Sequence, residues 1–417
     1  MTVAERIDAA NAKVIDIFEN GQPVWADVLP AGQVVPGMNK NTILYAGPPI
    51  AKENIVLPVR NAICGAGVHE HLAATMEEAW EKVMAGEIEL DSAQNHNCAD
   101  GACMATSASM PVCVVTDQMT GESGFCVPHP GNKREVLRWG YYNNEIEKDL
   151  VWFRDVFGPG LSAALRHMGG MNLKALLAKT AGMGDENHVR QPASSMAMDL
   201  QLIAALADLD VPGRDDIIRF LANNDRFSLH VMMAASECTM AAAKKIPYST
   251  VMCGFGGNGV ELGIQMAGTG NAWYTVPAPK ILGMFLNPTW TENDILGFLG
   301  DSCVTEVYGF GGFSAIAGPA YVIMTGGTID DARSRTERAR SISLGTHKFP
   351  VPWDGNRGLP CGIDVRKVVA QNLSPISHGG STLKTGGQGG SGSAELPMDM
   401  FKQALVAISK VFREENK

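Results

Sequence analysis

SLHVMMAASECTMAAAKK, residues 228–245, decides the fold. Its apolar residues recur at helical spacing and close a series of such segments. LSAALRHM, LKALLAKT, MAMDLQLIAALADL and DDIIRFLANN precede it with short breaks. Pro159, Pro192 and Pro212 mark helix starts or loops between them. Residues 151–246 therefore read as a mostly helical middle domain. Past Pro247 the pattern changes to strands and glycine turns: STVMCGF, VELGIQMAG and AWYTVPAP read as strands. A helix follows over 330–341. A glycine-rich loop, HGGSTLKTGGQGGSGSAELP (378–397), then precedes a terminal helix with Phe401, Leu405, Ile408 and Phe412 on one face.

In the other direction, residues 1–20 place Ile7, Val14, Ile17 and Phe18 at near-helical spacing. NTILYAGPPI (41–50) reads as a strand ended by prolines, and ENIVLPVRNAICGAG (53–67) as strand and glycine turn. A helix over 76–87 stops near Gly86, and residues 108–128 form a hairpin around TGESG. The expected fold class is α/β (α+β) and multidomain. A mixed N-terminal α/β domain spans 1–150, the helical domain 151–246, and a glycine-rich α/β domain 247–417.

The 417 residues exceed one ordinary core. With 45% hydrophobic and 19% charged residues, the composition is globular, not disordered. A net charge of -10 argues against nucleic acid, which needs clustered cations. In the most basic run, DDARSRTERARS (330–341), arginines alternate with acids as on a solvated helix face. No signal peptide and no apolar run long enough to span a membrane are read, so a cytoplasmic location is expected. The nine scattered cysteines then read as reduced thiols.

Two segments match G-x-G-x-x-G, GFGGNG (254–259) and GQGGSG (387–392), but neither is followed by the helix a dinucleotide needs. Their alternatives are turn glycines or a backbone nest for an anion. NHNCADGAC (95–103) offers His96, Cys98 and Cys103, with His69 and His71 flanking Glu70 elsewhere. The spacing lacks the paired ligands of a zinc site, so no metal and no cofactor are expected, with a metal-dependent amidohydrolase kept as an alternative. MGDENHVRQ (183–191) crowds Asp185, Glu186, His188 and Arg190 together. Asp185 can cap the next helix. Equally, Arg190 can clamp a carboxylate while His188 or Glu186 moves protons.

GDSCVTEVYGFGGFSAIAGPA (300–320) places two acids, Asp301 and Glu306, in a small, apolar, glycine-rich segment. A buried carboxylate without partners is costly. VTEVY is expected to deliver Glu306 to the mouth of a pocket. GFGG would turn backbone N–H groups toward the same space, so both acids should meet glycine N–H groups or a cation such as Arg190. Glu186, His188 and Glu306 are the catalytic candidates. The substrate-binding candidates are Asn97, Ser107, Asp185, Arg190, Asn258, Asp301, Gly309, Gly311, Gly312, Gln388 and Gly389.

TILYAGPPI, GAGVHEHLA, TSASMPV, MGDENHVRQPASS, GTGNAWYTVPAP, GDSCVTEVYGFGG and CGIDVRKVV with GGQGGSGSAELP occur in this order along nearly the whole chain. Together they resemble a bacterial domain-of-unknown-function family that includes the G subunit of the oxamate carbamoyltransferase of anaerobic allantoin degradation. The resemblance implies an α/β fold with a helical middle. It implies carbamoyl transfer between oxalurate and phosphate, giving oxamate and carbamoyl phosphate, or a reaction of a related ureido or amide acid. The chain departs from the family pattern at Gln191, and Gln265 and Ala272 are uncharged where similar proteins often carry arginine. The expected partners are a small carboxylate or ureido acid, phosphate or carbamoyl phosphate, hetero-subunits and a second copy of the chain. The alternative is a non-catalytic metabolite-binding or structural subunit.

Overall fold

The computed structural model describes residues 2–415. The architecture is mixed α and β, with several small sheets around buried helices. The chain opens with the helix Val3–Asn20, where Thr2 and Glu5 exchange a reciprocal capping box. It buries Ile7, Val14, Ile17 and Phe18, the stripe read from the sequence.

The helix Ser228–Ala243 has every residue buried. It packs on the strands Pro111–Asp117 and Ser123–Cys126, and also on the short helix Val304–Tyr308 and the strand Met252–Asn258. Small side chains permit this. At Gly124 even a Cβ would overlap the helix backbone at Ala234 and Cys238. Covered all round, the helix shows no polar face, as a helix at the centre of a large core should not.

The strands Ser123–Cys126, Pro111–Asp117, Pro23–Pro30 and Met171–Asn172 form one antiparallel sheet in that order. A second orders Trp273–Pro277, Glu261–Met266, Met252–Asn258 and Leu299–Gly300. One apolar core draws on Phe18, Phe157, Leu202, Phe255 and Phe401, hence on early, middle and late chain alike. A second gathers Ile43, Ile63, Val112 and Leu137, and Leu299 joins it. Leu299 thus belongs to one core and Cys303 to the other, so the turn between them lies where the cores meet.

Two segments differ from expectation. ENIVLPVRNAICGAG contains a helix, Leu57–His69, not a strand. Pro58 sits in its first turn, where a missing N–H costs nothing. Gly65 and Gly67 are not turn residues: a Cβ on Gly65 would crowd Tyr142 and Leu137, so they let neighbours approach. The segment 378–397 is not a loop. It supplies most of a hairpin, Ile376–Thr382 with Gln388–Glu395, and the strand Leu282–Phe285 pairs on its edge. Gly390 and Gly392 face the backbone of Met284 and Leu282 so closely that no side chain fits. Strand glycines commonly mark such close backbone approaches. Among the described residues no helix is long and apolar enough to cross a membrane.

Candidate functional site

His188 lies in the irregular segment between two helices of the middle region, just ahead of the helix Pro192–Ala207. Asp185 holds that helix from outside, because its Oδ2 accepts from the Ser194 N–H at 2.7 Å and the Ser194 hydroxyl at 3.0 Å. Burial pushes the Asp185 carboxyl up to about 6. Glu186 Oε1 gathers the Val189 and Arg190 N–H groups at 2.6 Å each and closes the loop. Burial pushes the Glu186 carboxyl up. His378, His188 and the Arg190 N–H more than offset this and leave it below the usual glutamate range.

The loop carries His188 to Glu306. Nδ1 of His188 lies 2.9 Å from Glu306 Oε1, and Nε2 lies 2.9 Å from Ser302 Oγ. Glu306 Oε1 also accepts from the Gly312 N–H at 2.7 Å and the His378 N–H at 2.9 Å. Glu306 is wholly buried. In the neutral ring a carboxylate acceptor on Nδ1 favours the proton there, which leaves the Nε2 lone pair facing the serine hydroxyl. The glycines have a steric reason as well. Gly311 has φ +58, a left-handed value, and a Cβ on it would overlap the Glu306 carboxylate. Its N–H donates to the Glu186 carbonyl at 2.7 Å.

His188 and Ser302 line a cavity of about 40 Å³ together with Arg138, Arg226, Gln191, Gln388, Ser391 and the backbone of Gly379 and Gly380. That is room for a few water molecules. Arg138, Trp139, Arg226 and Gln388 also line an adjoining open cleft of about 890 Å³. Arg138 is 7% exposed. Its guanidinium stacks over Trp139 at 5.0 Å and contacts His129 Nε2 at 3.2 Å, and its Nε has no partner. Burial and the nearby Arg226 charge lower it to about 10, so it is still a cation at neutral pH. Among the described residues neither arginine is ion-paired with a carboxylate. Two such cations beside one cavity suit an anion.

Asp301, five residues before Glu306, is equally buried but faces away. Its Oδ1 accepts from the Gly47 N–H at 2.8 Å and Gln94 Nε2 at 2.6 Å, and its Oδ2 from the Asp100 N–H at 3.1 Å. Burial pushes its carboxyl up to about 7. Both acids of the segment thus meet glycine N–H groups, and Arg190 meets neither. Arg190 is exposed, with Nε on the Gly184 carbonyl, and does not line the cavity.

The other candidates lie in various places. Gly309, at φ +123, turns the chain against Pro360 and His347. Asn258 braces a strand turn, accepting from Val260 and Glu261 and donating to the Pro48 carbonyl. Asn97 ends a short helical turn in the left-handed region, and Ser107 is buried in a strand. Gly389 lies at a bulge of the hairpin, its carbonyl bound by the Leu286 N–H. Of the binding candidates, Gln388 lines the cavity. Among the described residues, those named for the metal alternative are not gathered around one point. His96 commits both ring nitrogens, to the Pro36 carbonyl and Asp91. Cys98 and Cys103 are buried, and among the described residues no group of three His, Cys, Asp or Glu is placed to hold a metal.

The sequence reading missed Ser302, Arg138, Arg226 and His378. Ser302 stood inside GDSC, between a two-residue strand and a short helix. Arg138, in VLRWG, offered only its aromatic neighbour as a signal.

An acid-oriented histidine with a serine, beside arginines that lack a carboxylate partner, is an arrangement able to hold a small anion next to a proton carrier. By descent the chain belongs to the family of oxamate carbamoyltransferase subunit AllG, whose model matches residues 88–302. It is 32% identical to the oxamate carbamoyltransferase subunit AllG of Escherichia coli (strain K12), over 96% of this chain and 97% of that one. It is 33% identical to the uncharacterized protein YahG of the same organism, over 97% of this chain and 86% of the relative. A crystal structure of a conserved protein of unknown function from Enterococcus faecalis V583 superposes with a TM-score of 0.94 at 31% identity, covering 98% of this chain and 99% of that one.

Proposed function

We propose that the chain is a catalytic subunit that transfers a carbamoyl group between a small ureido acid and phosphate. Oxalurate and phosphate would give oxamate and carbamoyl phosphate, or a related ureido acid would react in the same way. One observation carries this reading: two arginines without carboxylate partners line the cavity onto which the Ser302–His188–Glu306 chain opens. Both substrates are anions that need cations to hold them. Attack on the ureido carbonyl builds a tetrahedral centre whose breakdown needs a proton delivered to the departing nitrogen. His188, oriented by Glu306, is placed to carry that proton. Arg138 and Arg226 supply positive charge beside the same cavity, and the burial of Arg138 makes its charge count for more than it would in water.

Assembly with other subunits belongs to the same proposal, since the E. coli relative is named as one subunit of its enzyme. The test is a transfer assay on the purified chain, alone and with whatever co-purifies, together with thermal unfolding in oxalurate, oxamate or carbamoyl phosphate. A bound acid at a hundred times its dissociation constant should stabilise the chain by about 2.7 kcal/mol. No shift with any of these acids, and no transfer in any assembly, would end the proposal.

A further inference from the structure

We infer that Ser302 is a nucleophile and that carbamoyl transfer, if the reading above holds, proceeds through a carbamoyl-serine at this residue. The first support is local. Gly300-Asp301-Ser302-Cys303-Val304 runs from the strand Leu299–Gly300 through a tight turn into the helix Val304–Tyr308. A serine on a sharp strand-to-helix turn stands proud of the backbone, the arrangement that presents a nucleophile in G-x-S-x-G elbows. Gly300 has φ +118, and a Cβ there would crowd the Ala102 backbone. The turn is fixed from behind by Asp301. Its N–H donates to the Asp100 carbonyl at 2.8 Å, its own carbonyl accepts from Val304 at 2.8 Å, and its carboxylate is bound as described. Asp301 is a positioning residue for Ser302.

The second support is the hydrogen-bond chain. Ser302 Oγ, His188 and Glu306 are linked by two contacts of 2.9 Å, with the acid buried and the serine half-buried at the cavity wall. A base hydrogen-bonded to a hydroxyl and itself oriented by a third group is the signature of an activated nucleophile. A hydroxyl serving only to anchor the histidine would not need to face the cavity beside two unpaired cations.

The steps balance. Ser302 Oγ attacks the ureido carbonyl carbon while His188 Nε2 takes the hydroxyl proton. The carbon–nitrogen bond to the oxamate moiety breaks, and His188 returns that proton to the departing nitrogen. Ser302 is left as a carbamate ester. An oxygen of hydrogen phosphate then attacks the same carbon, the Ser302 carbon–oxygen bond breaks, and the proton of hydrogen phosphate passes through His188 to Ser302 Oγ. No oxidant or further reactant is required.

The experiment uses the full chain and para-nitrophenyl carbamate, which donates a carbamoyl group without any acid recognition. The expected result is a burst of nitrophenolate and a gain of one carbamoyl group on the peptide holding Ser302. Ser302→Ala should abolish the label while unfolding at nearly the wild-type temperature, and Ser302→Cys should retain it. His188→Ala should slow labelling about 100-fold or more. No label, or label only elsewhere, overturns the inference. If Ser302 is labelled but oxalurate neither carbamoylates it nor protects it, the nucleophile stands and the substrate reading falls. If Ser302→Ala still converts oxalurate and phosphate within about tenfold of wild type, the nucleophile falls and the reading stands.

Discussion

Asp301 and Glu306 sit five residues apart in one segment, both are wholly buried, and both accept a glycine N–H. Their surroundings differ in kind. Asp301 faces neutral donors from the first third of the chain: Gly47, Gln94 and the Asp100 N–H. Glu306 faces a histidine whose far nitrogen reaches a serine at a cavity. The first acid ties two parts of the fold together, and burial raises it toward neutrality. The second is one end of a hydrogen-bond chain that reaches the cavity wall. Burial alone therefore does not mark an acid as functional; the next atom along the hydrogen bond does.

The sharpest way to break this comparison is at His188. His188→Ala should lower carbamoyl transfer by about 10³–10⁴-fold in chain that still folds, with a lowered unfolding temperature because buried Glu306 loses a partner. A loss under tenfold would mean that the Glu306 side is as structural as the Asp301 side. Arg226→Gln should raise KM for the anionic substrate about 10–100-fold, with a smaller fall in kcat, because a charged contact is lost in ground and transition states alike. Steady-state kinetics separate the two.

The Asp301 side is tested by pH. Glu237, on the central helix, has both carboxylate oxygens unpartnered. Burial pushes its carboxyl up to about 8, Lys244 lowers it in part, and Asp301 raises it further. Between pH 4.5 and 8 the unfolded chain has released a proton that the folded chain keeps. Stability should therefore fall as pH rises through that window, by up to about 1.4 kcal/mol per pH unit, and level off above it. Glu237→Gln should flatten the fall between pH 6.5 and 8, read by denaturant unfolding at both values. An unchanged slope would remove Glu237 from the account. The smallest effect is expected at Arg190. Arg190→Ala should leave transfer within about twofold, since its side chain is exposed and Glu186 binds its backbone N–H, which alanine keeps. A large rise in KM would show that it reaches the substrate after all.

Much of the fold was legible where one face or period dominates. The first and last helices, the helical middle and the strands after Pro247 follow from apolar spacing alone. Leu57–His69 was not legible, because β-branched residues and two glycines imitate a strand and turn while the real constraint is packing against Tyr142. The hairpin at 376–395 hid for the same reason: its glycines admit backbone, and local sequence does not say whose. In the site, His188 and Glu306 stood out as a base and an acid in unusual settings. Ser302 did not, because a serine acquires meaning only when an oriented histidine lies 2.9 Å away.

By itself the sequence determined the family, the helical centre and the need for partners around the acids at 301 and 306. Burying charge in an apolar segment has a cost that only hydrogen bonds offset, wherever they come from. The tertiary structure decided which partners each acid took. His188 and Glu306 are separated by 118 residues. Arg138 precedes the helical region and Arg226 lies within it, yet both line one cavity. Such meetings depend on how the two apolar cores close around the Leu299–Cys303 turn, and no local pattern encodes that closure.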